Sequence, residues 1–354
     1  MARIEELLRE IGRNISSGMT RFGLLSFTFM ALSLCTIGLD VAQIISLEST
    51  VAAYLGSRSD IELISKEKAI NAVSCQQIMS SESIVHAGAI REATPVILRG
   101  LPDNRIPTFE VSDGLLSVID ASQADHAGVW ASRTLADKMQ FVTGSIVETQ
   151  TGSLRISGIY DWPEDGRDAR LEYAILVPVP ASGRFDECWA SVWPATDVQE
   201  LLRSTVTYED GASGSHLGKV NYTNGDTLDA NDLFISRLTH WTGLAGFLIS
   251  AIIAFMSVRR RKLEIAGNMH AGLSKSMMLI QNELEFCLPM LVGCAIAYGA
   301  MLIGLRIFQT PDCADIALLS GMNMLWIPVG CTTGIYIASL SIREKDLFMH
   351  FKAR

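Results

Sequence analysis

Residues that could do chemistry are few and scattered in this chain of 354 residues. No two of the six histidines have the His-x-x-x-His spacing, and no two cysteines have the Cys-x-x-Cys spacing. Both spacings are typical of metal ligands. No glycine-rich loop ends in Gly-Lys-Ser or Gly-Lys-Thr, the signature of a common phosphate-binding loop. His126 beside Asp125, and His216 within GASGSHLG, are predicted to be polar residues at the surface. We therefore predict that the chain is not an enzyme and holds no catalytic residue, metal or cofactor of its own.

Two of the cysteines offer a different chemistry, the formation of a disulfide. Cys75 and Cys188 lie in the long polar segment at residues 45–239, where an oxidising compartment would permit a bond between them. A Cys75–Cys188 disulfide and two buried thiols are both compatible with the sequence. The cysteines at positions 35, 287, 294 and 331 fall in apolar runs and are predicted to be small packing residues.

Four apolar runs explain why 49% of the residues are hydrophobic and only 19% charged, whereas soluble domains carry about 25% charged residues. The runs cover residues 22–44, 240–258, 284–308 and 316–340. Each matches the roughly 17–25 residues that a helix needs to cross a bilayer. No small-residue cleavage site follows the first run, so we expect it to be retained. The pattern predicts a membrane protein with one span, a large domain and then three spans.

Charge predicts the orientation of these spans. The segment between the first and second spans holds 27 acidic and 15 basic residues, whereas cations cluster at the other ends of the spans. These cations are Arg3, Arg9, Arg13, Arg21, Arg259, Arg260, Arg261, Lys262, Arg343, Lys345, Lys352 and Arg354. Because cationic loops stay in the cytoplasm, residues 1–21, 259–283 and 341–354 are predicted to be cytoplasmic. Residues 45–239 and the loop at 309–315 are predicted to lie outside.

The segments outside the spans also have recognisable patterns. Residues 45–239 predict an α+β domain with a stalk, in which residues 65–79, 127–139 and 196–204 are helical and residues 95–100, 144–160 and 172–179 form strands. Residues 144–160 are expected to fold as two strands around a turn at Gly152, and Asp229 is expected to cap the helix before the second span. Residues 1–21 predict an amphipathic helix whose apolar face is Ile4, Leu7, Leu8, Ile11 and Ile15.

This layout and the segment RRRKLEIAGNMHAGLS resemble the MacB/FtsX-like ABC transporter permeases. In that family the cytoplasmic segment after the second span runs Arg-Arg-x-Glu-Ile, then a small residue, and ends in Gly-Ala-Ser. The matching residues here are Arg260, Arg261, Glu264, Ile265, Ala266, Gly272 and Ser274. Gly267, Asn268 and His270 depart from the family pattern and weaken the local helix, since glycine costs about 1 kcal/mol relative to alanine.

The resemblance extends over nearly the whole chain. Glu285, Gly293 and Ala297 match the glutamate and the small-residue patch at the start of the family's next span. LLREIGRN at residues 7–14 is similar to the helix before the first span, and GVWASRTLADKM, GSIVETQTGSLRISGIY and LVPV are similar to parts of the outer domain. Packing of Gly293 and Ala297 inside one subunit or between two is left open, as is a protein-facing or solvated position for Glu285.

The resemblance implies a permease subunit in the bacterial cytoplasmic membrane that transmits force and binds no nucleic acid. A separate ATP-binding subunit would hold ATP and magnesium, and a second permease subunit, identical or homologous, would complete the complex. The segment after the second span would be a coupling helix, with Glu264 as its polar contact and Ile265, Met269 and Gly272 in the same contact. Alternatively, Arg259, Arg260, Arg261 and Lys262 serve only as membrane-interface cations, at about 1 kcal/mol each.

The substrate implied is a peptide, an antibiotic or a lipoprotein met outside the cytoplasm. Two other functions remain open at this point. One is an FtsX-like mechanical regulator of a cell-wall hydrolase that transports nothing, although the outer domain here is larger than that family carries. The other is a subunit that senses a toxic peptide outside and signals inward. Capture of a hydrolase would favour the regulator, and peptide binding without efflux would favour the sensor.

Overall fold

The computed structural model describes Arg9 and residues 12–18, 21–121, 128–207, 214–310 and 312–342. These residues divide into a helical unit, up to Glu48 and from Leu233 onward, and a sheet unit, Ser49–Asp232. Some of the predictions concern residues outside this description. They are Arg3, Ile4, Leu7, Leu8, Ile11, Asp125, His126, Arg343, Lys345, Lys352 and Arg354.

Helices and strands alternate along the described residues. In chain order the helices are α1 (Phe22–Gly56), α2 (Ala72–Gln77), α3 (Asp113–Val118), α4 (Arg133–Met139), α5 (Gln199–Arg203), α6 (Ala230–Ser236), α7 (Thr242–Arg260), α8 (Lys262–His270), α9 (Lys275–Ile307), α10 (Cys313–Met324) and α11 (Trp326–Ser341). The strands are β1 (Ile61–Asn71), β2 (Ile84–Glu92), β3 (Val96–Leu98), β4 (Leu101–Ile106), β5 (Thr108–Ser112), β6 (Val129–Ser132), β7 (Ile146–Glu148), β8 (Ser153–Tyr160), β9 (Ile175–Val179), β10 (Arg184–Val192) and β11 (His216–Lys219). Residues 12–16 are also helical.

The prediction of four apolar helices with a folded domain between the first and second is confirmed. Within the described residues, four helical stretches are long and apolar enough to cross a membrane: Phe22–Gly56, Leu238–Arg260, Lys275–Ile307 and Cys313–Ser341. α9 begins at Lys275, before the predicted position 284, so the predicted coupling segment at 259–283 includes the first turns of α9 as well as a short helix. The last stretch breaks between α10 and α11 because Pro328 lacks an N–H and its ring crowds the carbonyl of Met324.

One apolar cluster joins most of the helical unit. It contains buried residues from α1, α7, α8, α9 and α11, namely Leu25, Phe29, Ala254, Val258, Ile265, Ala266, Met269, Met278, Phe286, Met290, Cys294, Ile327, Cys331, Ile335 and Ala338, together with Ile342. Because the short helix α8 contributes to this cluster alongside the long helices, it is packed into the unit and does not project from it.

α7 and α11 approach each other so closely that two glycines are required. A Cβ placed on Gly330 would lie 2.2 Å from the carbonyl oxygen of Phe247, and one on Gly334 would lie 2.2 Å from that of Ala251. Glycines four residues apart let the backbones of apolar helices meet and gain van der Waals contact. The spacing of Gly330 and Gly334 explains why these two helices pack along their lengths.

The sheet unit is built on a mixed sheet. Its order among the described residues is β11-β1-β10-β2-β5-β9-β6-β8-β7, with parallel pairs β5–β9 and β6–β8, and β3 and β4 form a separate hairpin. A large core of aromatic and aliphatic side chains, including Trp130, Tyr160, Trp162 and Trp189, lies against one part of this sheet. The predicted strands at 95–100, 144–160 and 172–179 are confirmed, and β7 and β8 pair antiparallel around Gly152.

The predicted helix at residues 65–79 is wrong over its first half. Residues up to Asn71 belong to β1, which pairs with β10 with an irregularity between Ser65 and Ile70. Lys68 has a positive φ of 51° inside this irregularity, which lets the charged residues bulge out of the ladder. Asn71 then caps α2, because its side chain accepts hydrogen bonds from the N–H groups of Val73 and Ser74.

The predicted helix at residues 127–139 is also correct only in its second half. Val129–Ser132 is the buried strand β6, pairing with β8 and β9, and α4 begins at Arg133. Ser132 ends the strand and caps the helix, since its Oγ accepts a hydrogen bond from the N–H of Leu135 at 3.3 Å. The predicted helix at 196–204 is shorter than expected and covers Gln199–Arg203. Asp229 caps α6 as predicted, through the N–H groups of Asn231 and Asp232.

The close approach of α7 and α11 can be tested with alanine. We expect Gly334→Ala to lower the free energy of unfolding by about 1–3 kcal/mol, because the added methyl overpacks a backbone contact. Gly304→Ala in α9 is the matched control, since a Cβ there has open space around it. Thermal unfolding of the full chain in one non-ionic detergent measures both variants. Equal stability of the two would contradict the proposed packing.

Candidate functional site

The segment that follows α7 folds as a helix, a tight turn and a second helix. α7 ends at Arg260, and α8 begins directly after Arg261 and ends at His270. The turn that follows contains Gly272, which has a positive φ. The N–H of Leu273 donates to the carbonyl of Asn268 at 3.1 Å, and the N–H of Gly272 donates to that of Met269 at 3.0 Å. This pair of bonds is a Schellman motif, which needs a residue with positive φ after the helix.

Gly272 and Ser274 each have a backbone role in this turn. Gly272 has a φ of 100°, a conformation that other residues adopt at a cost. The Oγ of Ser274 accepts a hydrogen bond from the N–H of Met277 at 3.4 Å and caps the start of α9. The Gly-x-Ser pattern therefore turns the chain from α8 directly into α9.

The apolar residues of α8 face the protein itself. Ile265 is 4% exposed, Ala266 is 0% exposed and Met269 is 6% exposed, and all three belong to the apolar cluster of the helical unit. Ile265 and Met269, which were predicted to contact a partner subunit, are therefore buried within this chain, and that contact stays a prediction. A pattern of apolar residues shows that a face is buried but not which neighbour buries it.

A buried carboxylate holds α8 in place. Glu285 of α9 is 0% exposed, and its Oε2 accepts a hydrogen bond from Nη1 of Arg261. Its Oε1 accepts from Nδ2 of Asn14 at 2.7 Å and from Nε2 of Gln281 at 3.2 Å. Arg261 also makes a two-point contact with Glu264, through Nε at 2.9 Å and Nη2 at 2.7 Å. We call Arg261, Glu264 and Glu285 the clamp.

The clamp keeps Arg261 charged. Burial alone would lower the pKa of this guanidinium, but the hydrogen bonds and charges of Glu264 and Glu285 outweigh it, so its pKa is raised. Planar two-point contacts of this kind fix geometry as well as charge, because both N–H bonds must point at one carboxylate. The clamp thus links the start of α8, its first turn and the buried face of α9.

The four predicted interface cations have different environments. Arg261 is bound in the clamp, with a side chain 14% exposed, and its role as a membrane-interface cation stays a prediction. Arg259 and Arg260 are exposed, and the guanidinium of Arg259 lies 5.5 Å from the ring centre of Phe255. Lys262 is half-buried. Of the predicted coupling residues, Gly272 is exposed and Glu264 has a side chain 30% exposed.

Gly293 and Ala297 pack inside this one subunit. A Cβ on Gly293 would lie 2.4 Å from the carbonyl oxygen of Ser26 and 2.8 Å from the backbone nitrogen of Met30, so α1 crosses α9 there at close range. Ala297 is 0% exposed. Of the two alternatives, packing within one subunit or between two, the structure therefore shows packing within the subunit for Gly293 and Ala297. For Glu285 both a protein-facing and a solvated position were left open, and the structure shows the protein-facing one.

Sequence reasoning missed a polar cluster inside the apolar runs. Asp40 of α1 is 0% exposed, and its Oδ2 accepts a hydrogen bond from Nδ2 of Asn323 at 2.7 Å. Nε of Arg237 lies 3.7 Å from the other oxygen, and the N–H of Thr239 donates to Oε1 of Gln43 at 3.0 Å. Ionisable residues in apolar helices face other helices and find partners there. A lone aspartate in the first apolar run was the available signal.

Cys75 and Cys188 form a disulfide in the sheet unit. Cys75 lies in α2 and Cys188 in β10, and both are buried in one apolar cluster. The bond closes a loop with a sequence separation of 113 residues. Among the residues that the structure describes, no group of three or more His, Cys, Asp or Glu side chains could hold a metal ion.

Comparison with known proteins found distant likenesses in solved structures alone. No protein-family model matches the chain, and no curated protein matches it. The periplasmic region of MacB from Actinobacillus actinomycetemcomitans aligns with 49% of this chain and 94% of its own, at 9% identity and a TM-score of 0.35. The extracellular domain of the noncanonic ABC-type transporter YknZ from Gram-positive bacteria aligns with 45% of this chain and 99% of its own, at 11% identity and a TM-score of 0.32.

Removing the buried carboxylate tests the clamp. We expect Glu285→Leu to lower the free energy of unfolding by about 3–5 kcal/mol, because Arg261 stays buried with Glu264 as its one remaining carboxylate of the clamp. The double variant Arg261→Met with Glu285→Leu should recover most of that loss, since an apolar pair of similar volume can replace a buried ion pair. Thermal unfolding of the full chain in detergent measures all three proteins.

Glu283→Leu is the control for this series, because Glu283 lies half-buried on the same helix and accepts a hydrogen bond from Cys287 at 3.5 Å. If Glu283→Leu and Glu285→Leu were equally destabilised, or if the double variant were worse than Glu285→Leu, the clamp would not stabilise the unit.

Proposed function

We propose that this chain is the membrane-spanning subunit of an ATP-binding cassette complex of the MacB/FtsX-like kind. A separate subunit hydrolyses ATP, and α8 receives the motion of that subunit. The observation that carries this proposal is the position of α8, a short helix directly after the exposed cations and clamped to α9. The resemblance of RRRKLEIAGNMHAGLS to the coupling segment of that family supports the same role.

Charge and cysteine chemistry support one orientation in a bacterial cytoplasmic membrane. Arg259 and Arg260 end the second apolar stretch, and cationic ends of spans stay on the cytoplasmic side. The disulfide between Cys75 and Cys188 belongs to the other side, because cytosolic thiols are kept reduced. In this orientation α8 and both termini face the cytoplasm, where ATP is, and the sheet unit lies outside.

The packing of α8 supports a mechanical role. Movement of α8 away from α9 would break the clamp and expose Ile265 and Met269, which costs about 1.5–3 kcal/mol for each large apolar side chain. A force on α8 therefore moves α9 with it more readily than it separates the two helices. α1 would follow, because it meets α9 at Gly293 with almost no space between the backbones.

The surface that receives the ATPase differs from the one that the sequence suggested. With Ile265 and Met269 buried, the exposed surface of α8, the turn after it and the cations before it is formed by Arg259, Arg260, Gly267, His270, Ala271 and Gly272. Gly267 has no atom within 4 Å of an added Cβ, so it leaves room for a close approach by another chain. We propose that this face docks in a groove of the ATP-binding subunit, with Glu264 at its edge.

The complex would hold two permease subunits and carry ATP-driven motion to the outer sheet units. Its cargo would be a peptide, an antibiotic or a lipoprotein that reaches the outer units from outside or from the outer leaflet.

Two substitutions of one residue test the docking face. We expect Gly267→Trp to reduce ATP hydrolysis by the complex purified from native membranes about tenfold, since overpacking an interface costs about 1–3 kcal/mol and 1.4 kcal/mol is tenfold in affinity. Gly267→Ala should keep the rate, because it adds one methyl group on an open surface and stabilises the helix by about 1 kcal/mol.

The level of each variant in the membrane and its unfolding temperature serve as controls. The levels should match the wild type, and neither variant should unfold at a lower temperature than the wild type. The docking proposal fails if Gly267→Trp hydrolyses ATP at the wild-type rate. The assignment to an ATP-binding cassette complex fails if the wild-type chain purifies without an ATP-hydrolysing subunit.

A further inference from the structure

A cavity in the sheet unit has an unusual excess of acidic residues. It measures about 330 Å³ and is bounded by the end of α1, the start of β1, the end of β10 and the segment before α6. Its charged lining residues are Asp60, Glu62, Asp197, Asp229 and Lys219. Four carboxylates therefore face the same space as one ammonium group. Asp197 and Asp229 are exposed, Glu62 is half-buried and Asp60 is buried, so the carboxylates run from the surface to the interior.

Asp60 is the carboxylate that most needs a partner. Asp60 is 4% exposed, and its Oδ2 accepts a hydrogen bond from Oγ of Ser191 at 2.5 Å. Its Oδ1 is buried without a hydrogen-bond partner among the described residues. A buried charged oxygen left without a partner costs more than a neutral one, so a donor that reached it would gain the full value of a charge-assisted bond.

The lysine of the cavity does not fill this role. Nζ of Lys219 donates to the hydroxyl of Tyr54 at 2.9 Å and to the carbonyl of Ser59 at 3.1 Å, and it lies 5.5 Å from the ring centre of Tyr54. These contacts hold its ammonium group at the wall. Asp60 keeps its free oxygen although a cation lines the same cavity.

Glu62 is a second carboxylate of the cavity whose charged form is disfavoured. Its pKa is raised, first because burial disfavours the carboxylate and also because Asp197 lies near it, while Lys219 acts in the opposite direction. A cation that entered the cavity would relieve the repulsion between Glu62 and Asp197 as well as pair with Asp60.

We propose that this cavity binds an organic cation, an ammonium or guanidinium group on a short aliphatic stem. Among the described residues no three His, Cys, Asp or Glu side chains are grouped closely enough to hold a metal ion, and a larger cation with several N–H donors can reach carboxylates that lie further apart. Val192 and Ala195 line the cavity and provide apolar surface for the stem. The volume is at the lower end of the range for small-molecule sites, about 300–1,000 Å³. This site does not depend on the proposed coupling to an ATPase.

Binding is measured by isothermal titration of the full chain in a non-ionic detergent. The probes are butylguanidinium, its uncharged isostere butylurea, and calcium chloride. We expect saturable binding of butylguanidinium and binding of butylurea at least about tenfold weaker, because with butylurea the buried carboxylate of Asp60 gains no charged partner. Absence of saturable butylguanidinium binding, equal binding of butylurea, or stoichiometric binding of calcium would each overturn the proposal.

Two variants with the same change in net charge locate the site. Asp60→Asn keeps an acceptor for Ser191 and is expected to fold, yet it should weaken butylguanidinium binding at least about tenfold. Asp137→Asn, at an exposed position of α4 away from the cavity, should bind as the wild type does. The unfolding temperature of both variants checks their folding. Equal affinity of Asp60→Asn and Asp137→Asn would place the cation elsewhere.

Discussion

A carboxylate buried among apolar helices has to be paired, and Glu285 is paired with a cation from the preceding segment of the chain. Leaving such a group without a partner costs several kcal/mol, so the start of α8 has little freedom in where it can lie. Arg261, the single residue between α7 and α8, donates a hydrogen bond to one oxygen of Glu285, and Asn14 and Gln281 donate to the other oxygen. This pairing fixes where α8 starts, and the turn at Gly272 and the cap at Ser274 then lead the chain into α9.

Close backbone contacts make the rest of the helical unit equally specific. Gly293 admits α1, and Gly330 and Gly334 admit α7, at distances that no other residue allows. Helices in lipid gain little from hydrophobic burial against one another, so such contacts and the buried polar cluster at Asp40 determine which faces meet. α8 is clamped to α9, and α9 is packed on α1. This continuity of contacts is the physical basis of the proposal that α8 transmits motion.

The sequence predicted the elements that depend on composition and on local signals. Four apolar runs became apolar helices, Gly152 became a turn between paired strands, and Asp229 became a cap. The errors concern contacts with distant residues. Residues 65–71 have polar side chains compatible with a helix, but pairing with β10 makes them a bulged strand. Ile265 has the spacing of an anchor, and only the packing of α8 on other helices of the chain reveals that its partner is internal. The acidic cavity at Asp60 could not be anticipated, because it collects residues from four separate segments.

The central claim is that α8 is clamped into the helical unit and moves with α9. Amide hydrogen exchange of the full chain in detergent, followed by mass spectrometry of peptides covering α8 and the first turns of α9, measures this directly. The account predicts that α8 is protected in the wild type as strongly as the first turns of α9. It also predicts exchange about tenfold faster in Arg261→Gln, the equivalent of losing roughly 1.4 kcal/mol of local stability. Exchange of α8 at the rate of an unstructured peptide in the wild type, or the same rate in both proteins, would contradict it.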